Sequence, residues 1–485
     1  MQRTNHQRLF LGLLTALFCL SVCAQEDLPT DYLTPQFHKS RREAARALMP
    51  DSSVMVVFAA PTRTFSNDVE YLYHQNPDLY YFTGYKEPHA VLFLFKTPQK
   101  APDGTTYTEL FFVQKKDPRS EQWTGRRLGD EGVKNRLGIQ AVYVGDDFKK
   151  QAPDFSAFTK FISAPFPDDI KKGRSDGDLY NLIQNLKTKA VIADKDPRLD
   201  ASSFYKITGS LRELKTPEEM YMLRRAVEIS CVGHNEVMKS LRPDMSELEI
   251  QGLQEYVHKR YGSEEVGYGS IVGAGDNGCI LHYMENSKTK IGNNLLLMDV
   301  GASYHGYTAD VTRTIPAKGK FSAEERLIYQ LVYDAQEAAF KILKDGAKWA
   351  DAGKAAQEVI TNGLLSLGII KDKADYRKYY PHGLSHHIGL DVHDRGTPGL
   401  PLKKDMVITI EPGIYIPNNA DCDKKWWGIG VRIEDDALIT QNGYELLSAF
   451  SPRSIEAIEK MMAEKSVIDN YKLPALKTQQ KKAGF

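Results

Sequence analysis

The segment Met298–Thr314 reads MDVGASYHGYTADVTRT. It opens at the end of an apolar run, NLLLMD, and places a second aspartate, Asp310, eleven residues after Asp299. The intervening VGASYHGY can form a hairpin bend, so the spacing predicts paired strands that present Asp299 and Asp310 on one face. Alone, either aspartate reads as a capped turn or a salt bridge. Two further carboxylates change that reading. Glu411 lies in ITIEPGIYI and Glu434 in VRIEDD, strand-forming segments in which an unpartnered charge is costly. Arg432 precedes Glu434 by two residues, so on a strand both point to the same side.

Histidines supply further donors. HGLSHHIGLDVHD, His382–Asp394, packs four of the chain's twelve histidines into thirteen residues. Upstream, GAGDNG (Gly273–Gly278) fits the glycine pattern of a dinucleotide loop, but CILHYMEN follows instead of a helix start. The glycines are therefore read as a loop that brings His282 into a site. Asp, Asp, His, Glu and Glu thus lie in or beside apolar, strand-forming segments. Carboxylates buried together are forced to protonate unless cations accompany them. Divalent metals remove that conflict and can be bridged by carboxylate oxygens, which points to a two-metal site with ions about 3.5–4 Å apart.

The chain has 485 residues, room for two or three domains. Its 63 Lys plus Arg balance 63 Asp plus Glu, which removes the simplest electrostatic case for nucleic acid or an anionic membrane as partner. The N-terminus stands apart. MQRTNHQR is basic, LFLGLLTALFCL is apolar, and Val22 and Ala24 occupy the small-residue positions of a cleavage site. Residues 1–24 are expected to be a secretory signal peptide that exports the chain to the periplasm or extracellular space; lipidation of Cys23 is the weaker reading. The apolar core is too short for a good membrane span, and no later stretch is long and apolar enough to make one. Cys231, Cys279 and Cys422 remain after cleavage and define no disulfide framework.

Residues 25–178 are expected to form an α/β domain, with SSVMVVFAA, HAVLFLFK and ELFFVQK as strands and GRRLGDEGVKNRLG as a turn and helix. Residues 179–215 are expected to be a linker region. From 216 to 461 helices interleave with strand pairs, which predicts an α+β domain whose helices cover a curved sheet. It opens on a capping box, with Thr216 as cap, Pro217 at the first helical position and Glu219 closing the box. Ser246 is expected to cap the next helix. Residues 462–485 read as a Lys-rich, solvated tail.

In the order and spacing of IVGAGDNGCILHY, MDVGASYHGYTADVTRT, HGLSHHIGLDVHD, ITIEPGIYI and GIGVRIEDD, the chain resembles the aminopeptidase P branch of the pita-bread metallopeptidases. That family also holds prolidase and methionine aminopeptidase. HQNPDLYYFTGYKEPHAVLFLF and WTGRRLGDEG in the first domain resemble aminopeptidase P rather than prolidase, and methionine aminopeptidases lack such a domain. The resemblance runs from Arg41 to Met461. It implies a pita-bread catalytic domain and metal ligands at Asp299, Asp310, His386, Glu411 and Glu434. One ion then falls to Asp299, Asp310 and Glu434, the other to Asp310, His386, Glu411 and Glu434. The family usually uses manganese (Mn2+), and carboxylates with one imidazole suit a hard divalent ion; zinc, cobalt and iron stay open.

The same resemblance gives His282, His382 and His393 catalytic roles at the scissile group, with Glu411 accepting the proton of the attacking water. Tyr268, Tyr415 and Arg432 match substrate-lining positions, and His387 matches none and reads as a pocket-wall or surface residue. The activity implied is removal of the N-terminal residue from peptides with proline in second place, by a hydroxide generated at two metals. Prolidase, with the same chemistry confined to dipeptides, is the alternative. A binding protein that has lost its metals is disfavoured by the intact ligand set. A homodimer or homotetramer is implied by family analogy.

Overall fold

The computed structural model describes residues 29–470, apart from 102, 103, 174 and 398. The expected signal segment, and most of the tail expected over 462–485, lie outside the described residues.

The Val- and Phe-rich segments of the first half form a five-stranded sheet in the order Val142–Val144, Thr106–Val113, Val91–Lys100, Ser53–Phe58, Lys160–Ile162. Its inner pairings are antiparallel and both edge strands join in parallel. Every residue of Ser53–Phe58 is buried, as expected of a strand covered on both faces. The linker expected over 179–215 takes a different form. Leu179–Ala190 and Ala201–Arg212 are helices. Leu179, Leu182, Ile183 and Leu186 recur at helical spacing and pack into the same core as Val54, Phe93 and Phe112. The segment covers the first sheet because its apolar stripe has no other place to be buried.

In the second half, the capping box of Thr216 and Glu219 forms and starts the helix Pro217–Ser240, and Ser246 caps Glu247–Arg260. Thr312–Pro316, Leu295–Asp299 and Ile271–Ala274 make an antiparallel sheet in that order. After Ile271–Ala274 the GAGDNG glycines enter a short turn, Gly275–Cys279, rather than a long helix. The bend between the two aspartates is more elaborate than a simple hairpin. Ala302–Tyr304 pairs with Tyr307–Thr308 through a turn at His305 and Gly306, both at positive φ, and also with Glu265–Val266.

Farther on, Val407–Ile410 pairs with Asp435–Ile439, and Gly413–Ile416 pairs with Ile429–Arg432. Ile410 faces Asp435 and Gly413 faces Arg432, so the register runs unchanged through the gap and sets Glu411 opposite Glu434. Each glutamate therefore sits at a strand break rather than within a strand, and Pro412, which has no N–H to donate, marks that break. A bridge from Thr312 to Glu434 ties this hairpin to the antiparallel sheet. Helices Ala323–Phe340 and Trp349–Ser366 bury Ile328, Val332, Ala356 and Ile360 against Leu296, Met298, Ile410 and Val431. Leu297, between Leu296 and Met298, points the other way, and so does Asp299 by alternation.

Candidate active site

Strand alternation places Asp299 on the face away from the covering helices. Thr312 is its direct cross-strand partner, and Asp310 precedes Thr312 by two residues, so the two aspartates are diagonal neighbours. The hydroxyl of Tyr268 lies 2.6 Å from Asp299 Oδ1 and 2.7 Å from Asp310 Oδ1. His386 Nε2 stands 3.4 Å from Asp310 Oδ2 and 3.3 Å from Glu411 Oε1. Donor atoms of Asp310, His386 and Glu434 all lie within 4.8 Å of one another. A cavity of about 330 Å³ is lined by Asp299, Asp310, His386, Glu411 and Glu434, and also by His282, His382, His393 and Arg432. Tyr415 joins that wall: its hydroxyl accepts from Arg432 Nη1 at 2.9 Å and lies 2.8 Å from His382 Nε2. All eleven side chains singled out in the sequence are thus brought to one place.

The charges there do not balance within the protein. Arg432 donates from Nη2 to Asp299 Oδ2 at 2.7 Å, yet one guanidinium faces four carboxylates. Burial, reinforced by repulsion from Asp299, pushes Asp310 up to about 6. Burial and the charges of Asp310 and Glu411 push Glu434 well above the usual carboxylate range. Tyr268 has one proton to offer two aspartates, so it cannot satisfy both when both are ionised. His386 responds to the same shortage. Burial works to lower its pKa, but Asp310 and Glu411 overcome that effect and push it up to about 11. An imidazolium then supplies part of the positive charge that the carboxylates lack.

That observation tests the donor set for metals, and the set fits. Hard oxygen donors with one imidazole suit divalent cations, which replace the proton on the ring. His386 is oriented for such a role, because its Nδ1 lies 3.0 Å from the backbone carbonyl oxygen of His387. Donation from Nδ1 leaves Nε2 directed at the carboxylates.

Three parts of the site escaped the sequence reading. Thr312 Oγ1 donates to Glu434 Oε2 at 2.7 Å and accepts from Arg432 Nε at 3.1 Å, so it connects anion and cation. Its position two residues after Asp310 was the available signal, since alternation puts both on one face. Asp436 Oδ2 accepts the backbone N–H of Asp310 at 3.1 Å. Nothing in the string EDD separates Asp435, which pairs with buried Arg313 at 2.7 Å, from its neighbours. His387 differs from its reading as a pocket-wall or surface residue. It is buried behind the cavity with its ring edge-on to Trp349 at 4.8 Å, because the loop turns it toward the helix Trp349–Ser366.

Comparison with known proteins gives the family of the chain. Residues 221–441 match metallopeptidase family M24, and residues 38–160 match the N-terminal domain of aminopeptidase P. Xaa-Pro aminopeptidase of Escherichia coli is 35% identical over 454 residues, covering 89% of this chain and 98% of the relative. Xaa-Pro aminopeptidase 3 of Homo sapiens is 30% identical over 437 residues, covering 88% of this chain and 84% of the relative. Among solved structures, aminopeptidase P from Escherichia coli with the inhibitor Pro-Leu gives a TM-score of 0.78 at 34% identity, covering 89% of this chain and 98% of that one. Aminopeptidase PepP of Pseudomonas aeruginosa gives 0.79 at 34% identity, covering 90% and 99%. The chain belongs to metallopeptidase family M24 and has the two-domain aminopeptidase P fold, an α/β N-terminal domain followed by a pita-bread catalytic domain.

Proposed function

We propose that the protein is a metal-dependent aminopeptidase that hydrolyses the N-terminal Xaa-Pro bond of peptides. The observation that carries this reading is the convergence of four carboxylates and an oriented imidazole in one cavity that one guanidinium cannot neutralise. Asp299, Asp310 and Glu434 would hold one divalent ion, and Asp310, His386, Glu411 and Glu434 a second; manganese is among the hard ions that carboxylates with one imidazole suit. Such ions, when bound, acidify a water so that it becomes a nucleophile near neutral pH.

The remaining steps belong to the chain's own side chains. Glu411 accepts the water proton and passes it toward the leaving nitrogen. Thr409 Oγ1 holds its Oε1 at 3.3 Å, and His382 Nδ1 lies 3.7 Å from its Oε2. His393, whose ring stands 4.2 Å from that of His386, faces the scissile carbonyl and stabilises charge as it develops there. His282 and His382 flank the proline side, where Tyr415 and Arg432 form the wall for the ring. The nitrogen of an Xaa-Pro bond carries no hydrogen, so the site needs no acceptor opposite it. Tyr268 keeps Asp299 and Asp310 in register. Residues 1–24 act as the export signal, and the working form is a homodimer or homotetramer.

The test is hydrolysis of Xaa-Pro and Xaa-Pro-Yaa by the manganese-loaded protein, before and after chelation. Release of Xaa from the tripeptide, lost on chelation and restored by manganese, is the expected result. Cleavage of the dipeptide alone makes the protein a prolidase, and cleavage of neither overturns the peptidase reading.

A further inference from the structure

A cluster of charge, buried at Asp78, Arg212, Lys215 and Asp394 and open to solvent at Asp391 and Arg395, lies behind the loop that carries His393. Arg212, at the end of the helix Ala201–Arg212, is 1% exposed. Its guanidinium reaches Asp78 Oδ1 at 2.9 Å, Asp391 Oδ2 at 2.7 Å and Asp394 Oδ1 at 2.5 Å. Lys215 Nζ lies 3.1 Å from Asp394 Oδ2, and Arg395 Nη1 lies 2.6 Å from Asp78 Oδ2. Three cations thus meet three anions. Asp78 belongs to the helix Pro77–Thr83 of the first domain, whereas Asp391, Asp394 and Arg395 bracket His393 in the catalytic domain.

Buried ion networks add little net stability over apolar packing, so stability alone does not account for this one. What the network does is fix geometry. The backbone N–H of Asp394 donates to the carbonyl oxygen of His387 at 2.8 Å, and the same oxygen lies 3.0 Å from His386 Nδ1. Two glycines make the close approach possible. A Cβ on Gly389 would come within 2.0 Å of Asp394 Oδ2, and one on Gly396 within 2.0 Å of His387 Nε2. His393 therefore rides on a loop pinned on both sides, at Asp391 and at Asp394. Asp78, Arg212, Lys215 and Asp394 do not line the catalytic cavity.

We propose that Asp78 and Arg212 are positioning residues for His393, so that the first domain sets the catalytic loop through this charge cluster. The proposal rests on the peptidase reading above. A loop that shifts by about an ångström takes His393 off the developing charge while leaving the substrate-binding wall in place, which lowers kcat rather than raising KM.

The experiment compares wild type with Asp78→Asn, both as the manganese-loaded full chain, on an Xaa-Pro-Yaa tripeptide. The expected result is a kcat about tenfold lower, or more, with KM and metal content unchanged. In a His393→Ala background the same substitution should cost less than about twofold, because the group it acts through is already gone. Arg395→Gln, at the more open side of the cluster, should show a smaller loss of the same kind and serves if Asp78→Asn does not fold. Lys149→Gln removes an exposed ion pair with Asp176 elsewhere in the first domain and should leave kcat alone. Wild-type kcat in Asp78→Asn and Arg395→Gln, or a loss that multiplies in full with that of His393→Ala, overturns the proposal. A wild type that cleaves no tripeptide sinks the peptidase reading instead.

Discussion

Arg432 and Asp299 form a buried ion pair, Nη2 to Oδ2 at 2.7 Å, in which the arginine is 4% exposed. The same guanidinium donates to Tyr415 and Thr312, so it is the permanent cation of a site otherwise rich in carboxylates. Arg432→Gln removes that charge while keeping length and some hydrogen bonding. At neutral pH the metal-free variant should lose roughly 3–5 kcal/mol of stability, the usual cost of stripping one partner from a buried pair. Thermal and urea denaturation check this. A variant as stable as wild type would mean that the pair contributes nothing to the stability of the metal-free fold.

Thr312 links the two halves of the site through Glu434 and Arg432. Thr312→Val keeps the shape and deletes both bonds. Hydrogen bonds to charged groups contribute about 1.5–3 kcal/mol, so kcat/KM should fall by about tenfold or more. A change of less than about twofold would show that the neighbours hold Glu434 without it.

His386 and His387 are adjacent in sequence and should fail in different ways. His386→Ala is expected to lower bound metal, measured on the purified protein, with loss of activity. His387→Ala should keep its metal and lose stability, by about 1–3 kcal/mol, because the ring packs on Trp349. The reverse outcome removes His386 from the ligand set.

His234, on the helix Pro217–Ser240, and His258, on the helix Glu247–Arg260, are both buried. Burial, with Arg313 nearby, pushes His234 down to about 3, and burial with Lys259 pushes His258 down to about 4. An unfolded histidine titrates near 6.5. Below that pH the unfolded chain takes up protons that the folded chain refuses. The stability from neutral burial is therefore complete above 6.5 and is lost as pH falls toward 4, by up to about 1.4 kcal/mol per pH unit for each ring. Denaturation of wild type and His258→Gln between pH 7 and 5 should give a shallower decline in the variant. Parallel declines would place the acid sensitivity elsewhere.

Much of this protein was fixed by residues close together in the chain. Thr216, Pro217 and Glu219 act within one helical turn, so the capping box is legible wherever it occurs. The apolar run before Asp299 and the alternation after Asp310 work over a few residues, and the residue types of the site follow from them. Other features were decided only in three dimensions. The helices within 179–215 are helical by their own spacing, but that they belong to the first core depends on the sheet they meet. Glu411 opposes Glu434 because two strand pairs keep one register across a break, and Thr312 closes the site from 122 residues away. The partners of Arg212 come from 134 and 182 residues distant. Propensity and capping draw on neighbours along the chain, whereas a buried charge must find its counter-charge wherever packing brings one. That search is settled by the tertiary fold.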